Sequence, residues 1–137
     1  DLPEFRLTET KVKGAPSVWK LYYNGSIGGQ AILGVPMVRR LKQKYGDAMK
    51  VWPFETGWGA PDLTGVQLVA AEVFTLGAEA KPATGESKDQ TEIRAFAEQI
   101  AKLDDAGKLS PQFEAPKGVA AAEAEIARGE EGWILGA

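Results

Sequence analysis

The apolar run over residues 66–74 (VQLVAAEVF) is the sequence feature that most constrains the fold. It is rich in β-branched residues and follows a Gly- and Pro-rich loop at residues 56–65, so it predicts a strand. Few polar residues interrupt it, and we expect burial on both faces, as in a sheet covered by helices. A shorter run, residues 49–54, predicts another strand, with Pro53 at its end because proline cannot donate to a ladder.

Helical patterns flank these strands. Residues 90–106 carry apolar side chains at helical spacing and end at Gly107, and either Ser87 or Asp89 fits a capping box at the start. The expected buried face comprises Ile93, Phe96, Ala97, Ile100 and Leu103. Pro36 suits the first position of a helix over 36–45, and the alanine-rich segment 119–128 predicts a third helix.

The remaining segments are assigned from local pattern alone. Residues 5–13 read as an edge strand or an arm, residues 17–23 as a strand, and residues 30–33 as one short helical turn. Residues 77–88 read as a polar loop, and the apolar tail at residues 130–135 is expected to dock onto the core. The whole pattern predicts one α/β domain over 1–137, with three or four strands in a short mixed sheet and helices packed against it in layers.

Composition narrows the possible partners. Hydrophobic residues make up 44% and charged residues 26% of the chain, which is typical of a globular domain with its own core. The formal charge of −3 offers no broad basic footprint, so we do not expect nucleic-acid binding. No apolar run approaches the roughly 20 residues of a membrane span, and no membrane partner is expected.

The chain contains no histidine and no cysteine, which restricts its chemistry. Serine–histidine triads and thiolate or histidine zinc sites are excluded, and the absence of cysteine fits a cytoplasmic protein. Carboxylates, lysine, tyrosine and hydroxyls remain. The simplest catalytic arrangement with these groups is a hard cation, Mg²⁺ or Mn²⁺, held by carboxylates.

Glu72 is the most suggestive acid because it lies within the predicted buried strand. An isolated charge there is costly, so Glu72 needs a metal, a cation or hydrogen-bond partners. The alternative is that Glu72 lies at the exposed end of the strand or pairs with a lysine.

Three other features have both a structural and a functional interpretation. The turn formed by Asn24, Gly25, Ser26, Gly28 and Gly29 could cradle a phosphate, although it lacks P-loop and GxGxxG spacing, and a plain strand-to-helix turn is the simpler interpretation. The basic residues within 39–44 predict a solvated helix face. The three tryptophans at 52, 58 and 133 are interpreted as core or loop anchors rather than base-stacking platforms.

Several stretches resemble an uncharacterised, chiefly alphaproteobacterial family. They are VWKLYYNGSIGGQ at 18–30 with GVP at 34–36, VWPFET at 51–56, VAAEVF at 69–74, KD at 88–89 and EEGWILG at 130–136. The family is often labelled a molybdopterin-guanine dinucleotide or cobalamin biosynthesis protein. It is similar to predicted nucleases with a ribonuclease H-like fold, so the resemblance implies that fold.

The resemblance also implies site residues. Glu72 would be the second acid of a carboxylate metal site, with Asp89, Glu130 or Glu131 as a third. The family's Glu-Ile-Tyr-Pro-Ser motif is replaced here by EVFTL at 72–76. Its N-terminal half, with an aspartate followed by Trp-Ser, has no counterpart, so the chain resembles the C-terminal part of a longer protein with a partial fold.

Three functions follow as expectations. The first is a divalent-metal-dependent phosphoryl-transfer or hydrolase scaffold, incomplete here. The second is a nucleotide- or pterin-binding protein of cofactor biosynthesis. The third is a noncatalytic interaction domain that uses the glycine turn and tryptophan loops. A partial fold would leave strand edges and apolar faces uncovered, so we also expect a homo-oligomer.

Overall fold

Two short strands run parallel at the centre of the protein. β1 is Met49–Val51 and β2 is Leu68–Ala70, with Lys50 opposite Val69. The computed structural model describes residues 3–59, 61–75 and 81–137. Within those ranges the sheet has two strands, not the three or four predicted, and an isolated parallel bridge joins Glu72 to Ile134. The mixed helix and strand content confirms an α/β protein.

Pairing stops early because β1 turns away. Pro53 follows the strand end, as predicted, and the Glu55 N–H donates to the Val51 carbonyl at 2.8 Å, which closes a turn. The predicted strand over 66–74 therefore pairs over only three residues before the bridge at Glu72. These three residues are only partly buried, so the prediction of burial on both faces was wrong.

The helices are α1 (Leu7–Lys11), α2 (Gly28–Tyr45), α3 (Lys88–Asp105) and α4 (Ala121–Ile126). 3₁₀ turns lie at Gly46–Ala48 and Ser110–Phe113, and one π turn at Ala127–Glu131 extends α4. In the described part of the chain, no helix has both the length and the apolar character needed to cross a bilayer.

Helix α3 confirms the firmest helical prediction. The Ser87 hydroxyl accepts the Gln90 N–H at 3.2 Å and the Gln90 side chain accepts the Ser87 N–H at 2.8 Å, so Ser87 is the cap and not Asp89. The apolar face is buried less than predicted. Phe96, Ile100 and Leu103 are half-buried, whereas Ile93 is 62% exposed.

Three local predictions were wrong. Residues 5–13 contain helix α1, because the Glu9 carboxylate accepts the Arg6 N–H at 2.9 Å and closes the first turn. Residues 17–23 form turns rather than a strand, with the Lys20 N–H donating to the Ser17 carbonyl at 3.2 Å. Pro36 lies inside one continuous helix α2 and does not start a new one. Of the predicted loop 77–88, residues 77–80 lie outside the described residues.

The core forms where the tail meets the sheet. Trp52, Ala127 and Trp133 are almost fully buried there. Trp52 meets Trp58 edge to face at 5.6 Å between ring centroids, and Trp58 meets Trp133 in the same way at 6.1 Å. Such edge-to-face pairs are favourable beyond the area that they bury. The predictions that the tryptophans anchor the core and that the tail docks onto it are confirmed.

Candidate functional site

Arg6 organises the charged groups next to the core. Its guanidinium donates to both carboxylate oxygens of Glu72, at 2.7 and 2.8 Å. Its Nε donates to Glu9 at 2.8 Å, and Nη1 also donates to the backbone carbonyl of Glu131 at 3.0 Å. Arg6 is only 5% exposed, so its charge needs these partners. A bidentate arginine–carboxylate pair is among the stronger and more directional polar contacts in proteins.

The electrostatics agree with this geometry. Burial by itself lowers the pKa of the Arg6 guanidinium, but the hydrogen bonds and charges of Glu72 and Glu9 outweigh burial and raise that pKa above its usual value. Arg6 therefore stays charged at every pH at which the protein folds.

Two further bonds tie the ends of the chain together beside Arg6. The Glu131 carboxylate accepts the Leu7 N–H at 2.9 Å, and the Thr8 hydroxyl accepts the Ile134 N–H at 2.9 Å. The cluster of Arg6, Glu9, Glu72 and Glu131 thus links α1, the end of β2 and the C-terminal tail. We call this cluster the Arg6 clamp.

The clamp brings two of the four predicted acids together and leaves the other two apart. Glu72 and Glu131 both border Arg6, whereas Asp89 lies exposed in the first turn of α3 and Glu130 is exposed in the π turn. Within residues 3–59, 61–75 and 81–137, no three acids are grouped so that they could hold a metal ion. The carboxylate-bound Mg²⁺ or Mn²⁺ stays a prediction; in the structure Glu72 pairs with the buried Arg6.

The glycine turn is used for packing. Ser26 donates its hydroxyl to the Leu21 carbonyl at 3.2 Å, and the Gly28 N–H donates to the Lys20 carbonyl at 3.3 Å. A Cβ on Gly28 would lie 2.5 Å from the Val18 carbonyl oxygen, so only glycine fits there. Gly25 has a φ of +89°, which glycine adopts readily. These residues form a tight turn that leads into helix α2, and no strand precedes the turn in the described residues. The turn comprises Asn24, Gly25, Ser26, Gly28 and Gly29.

One open depression of about 310 Å³ lies beside this turn. Pro3, Glu4, Ser17, Trp19 and Lys20 line it. The Lys20 ammonium pairs with Glu4 across the rim, and this hydrogen bond raises the pKa of Lys20. The ion pair occupies the only charged groups of the lining, which leaves little to orient a small ligand.

A larger feature is the apolar surface that begins at Trp19. Tyr22, in the loop before helix α2, is fully exposed, and Leu33, on helix α2, is 78% exposed. The Leu21 side chain packs against Gly28, so the loop lies against the start of the helix. We call this surface the apolar patch; its members are Trp19, Leu21, Tyr22, Tyr23, Ile32, Leu33, Val35 and Met37.

The charge around the patch is of one sign. Residues 10–46 contain seven lysines and arginines and no acid, although the whole chain has a net charge of −3. Lys20 and Lys42 pair with Glu4 and Glu55. In the described part of the chain, Arg39, Arg40 and Lys44 form no ion pair, and they follow the patch along α2. The predicted solvated basic face is confirmed, but it borders exposed apolar side chains.

No protein-family model matches the chain, and neither the characterised proteins nor the solved structures that we searched contain a match. The family resemblance and the ribonuclease H-like fold stay predictions.

Sequence reasoning missed two functional features. The first is Arg6, the partner of Glu72. It lies in a segment that read as an edge strand, and no pattern links two residues so distant in the chain. The second is the apolar patch, and here a signal was present. An acid-free stretch from 10 to 46 in an acidic protein is visible in the sequence, and it predicts a locally positive surface.

Proposed function

We propose that this chain is a noncatalytic interaction domain that binds an acidic, partly apolar polypeptide on the apolar patch. The observation that supports this most strongly is the exposure of eight large apolar side chains in one region, residues 19–37. Monomeric soluble proteins rarely expose contiguous apolar patches beyond a few hundred Å², and larger ones mark interaction sites.

The chemistry of the partner follows from the charges. The exposed face of α2 changes along its length from apolar (Ile32, Leu33) to basic (Arg40, Lys44). A matching partner presents apolar side chains followed by carboxylates. Attraction over such a surface speeds association and excludes basic partners. Trp19, Tyr22 and Tyr23 beside it are residue types that dominate binding energy at interfaces.

The two other candidate functions have less support. A metal-dependent hydrolase would need Glu72 to release Arg6 and the acids to regroup. A nucleotide or pterin site at the glycine turn would compete for the Ser26 hydroxyl and the Gly28 N–H, which the turn already uses. The patch needs neither change.

A pair of synthetic peptides tests the proposal. Both are amphipathic helices of about 20 residues, long enough to hold some helix, with the same apolar residues; one carries aspartates at its end and the other lysines. Calorimetric titration is expected to show binding of the acidic peptide alone. Leu33→Glu should weaken it at least about tenfold, or 1.4 kcal/mol.

Leu63→Glu is the matched control, because Leu63 is also exposed but lies in a loop far along the chain from the patch. It should bind the acidic peptide as the parent does. Equal loss in both variants, or no binding of either peptide to the parent, would overturn the proposal.

A further inference from the structure

Helix α3 has an exposed stripe of its own. Ile93 is 62% exposed, and Ala97 and Asp104 on the same side are also exposed. Ile93, Ala97, Ile100 and Asp104 follow a 4-3-4 spacing, which places them on one helix face. Asp105 lies beside Asp104 at the end of the helix. In the described part of the chain, neither aspartate forms an ion pair.

The exposed face of α2 has the same spacing. Leu33, Met37, Arg40 and Lys44 also follow a 4-3-4 pattern, and each lies sixty positions before its counterpart on α3. Leu33 to Lys44 and Ile93 to Asp104 each span eleven positions, about 16 Å at the α-helical rise.

The two faces are complementary when the helices are aligned in parallel. Leu33 then lies opposite Ile93 and Met37 opposite Ala97, so the apolar halves meet. At the other end, Lys44 lies opposite Asp104, whereas Arg40 lies opposite the half-buried Ile100, one helical turn before Asp104. Small residues such as Ala97 let a large neighbour such as Met37 pack closely. Each helix has 18 residues, so neither overhangs the other.

We propose that the partner is a second copy of this chain, whose α3 docks on α2 of the first. This inference rests on the proposed function, since it assigns an occupant to the same patch. Each copy carries both faces, so a two-fold dimer forms the α2–α3 contact twice. Two-fold dimers are the commonest closed assemblies of soluble proteins.

A charge swap tests the pairing. R40E/K44E places like charges against Asp104 and Asp105 in a homodimer, and D104K/D105K does the same against Arg40 and Lys44. By sedimentation at low salt, each variant alone should dissociate at least about tenfold more readily than the parent. An equimolar mixture of the two should form a heterodimer, because both contacts then carry opposite charges again.

The matched control for R40E/K44E is K11E/K13E, which changes the net charge by the same amount on exposed residues outside the aligned face; it should dimerise as the parent does. Circular dichroism checks that each variant folds. Should a double variant fail to fold, Ile93→Glu at the start of the stripe replaces it and should also dissociate the dimer.

Three outcomes would overturn the inference: a parent that stays monomeric up to about 0.5 mM, far above ordinary interface affinities, a dimer indifferent to both swaps, or a mixture that does not reassociate. If the parent is monomeric but still binds the acidic peptide, only the identity of the partner is wrong. If neither occurs, the proposed function falls as well.

Discussion

Aromatic and basic side chains lie near both the Arg6 clamp and the apolar patch, but they are buried and paired near the clamp and exposed near the patch. Beside the clamp, aromatic side chains such as Trp133 are buried, and four of the five guanidinium N–H groups of Arg6 donate hydrogen bonds. At the patch, Trp19 and Tyr22 are exposed, and Arg40 and Lys44 form no ion pair within the described residues. The charged groups of the clamp pair with one another, whereas the patch and the basic residues next to it expose apolar area and positive charge to solvent.

This difference predicts that the clamp stabilises the fold and that the patch is available for binding. Residues at the clamp join α1, β2 and the tail, so they hold distant parts of the chain together. Residues at the patch contribute little to the core because water still reaches them. Substitutions should therefore affect unfolding at the clamp and association at the patch.

The largest expected effect is at the core beside the clamp. Trp133→Ala removes a 2% exposed side chain that meets Trp58 edge to face, and it should lower the free energy of unfolding by about 3–5 kcal/mol. Urea denaturation measures this. Tyr22→Ala, at a fully exposed aromatic, should change the same quantity by less than about 0.5 kcal/mol. Similar losses in both variants would erase the contrast between the two regions.

Glu72→Gln should have the next largest effect. It removes one charged partner from Arg6, and we expect a loss of about 1–3 kcal/mol. The loss is smaller than for a fully buried pair because the Glu72 side chain is 38% exposed and Glu9 still pairs with Arg6. Thermal unfolding of the parent should not change with Mg²⁺ or Mn²⁺.

Glu125→Gln is the control for Glu72, since it breaks the exposed pair with Arg128 and should cost less. An Mg²⁺-dependent rise in melting temperature that disappears in Glu72→Gln would instead support the metal-dependent hydrolase.

A third comparison lies within the glycine turn. Gly28→Ala should cost about 1–3 kcal/mol, because its Cβ would meet two carbonyl oxygens at 2.5 and 2.7 Å. Gly29→Ala has open space and should change stability by no more than about 1 kcal/mol, in the favourable direction. The unfolding free energies of both variants check this. A phosphate-dependent rise in the parent's melting temperature that both variants lose would restore the phosphate cradle.

A smaller, pH-dependent effect is expected at the start of α3. The hydrogen bond from Arg94, helped by the Ala83 N–H, lowers the pKa of Glu86 from 4.5 to about 2. The ionised form is thus favoured by folding, and its contribution is complete above pH 4.5 and lost as the pH falls towards 2.

Melting temperatures of the parent and Glu86→Gln, followed across that range, should therefore converge as the pH falls. Glu114→Gln, at an exposed acid, should follow the parent throughout. A gap between parent and Glu86→Gln that is independent of pH would show that Arg94 does not stabilise the carboxylate.

The parts of the fold that the sequence predicted depend on local signals. The capping box at Ser87, Pro53 at a strand end and the buried tryptophans each follow from properties of neighbouring residues. The wrong predictions concern segments whose structure depends on contacts with distant parts of the chain. Residues 17–23 have strand-forming composition, but among the described residues no strand lies beside them. Helix α1 forms because Glu9 bonds both to the first turn and to the Arg6 side chain.

The predictions for the candidate site also succeeded for local features and failed for contacts between distant residues. The sequence indicated that Glu72 needs a partner, but the partner is Arg6, 66 positions away in the chain. The basic half of α2 was predicted as a solvated face, whereas its continuity with exposed apolar residues required the structure, because exposure is decided by what packs on the helix.

The central claim is that the apolar patch serves binding and not folding, and Leu33→Glu tests it most directly. Urea unfolding of dilute protein, where association does not contribute, should give a free energy within about 0.5 kcal/mol of the parent. The same variant should bind the acidic peptide at least about tenfold more weakly than the parent. A loss of about 2 kcal/mol or more on unfolding, with peptide affinity unchanged, would mean that Leu33 belongs to the core and that the patch is not a binding surface.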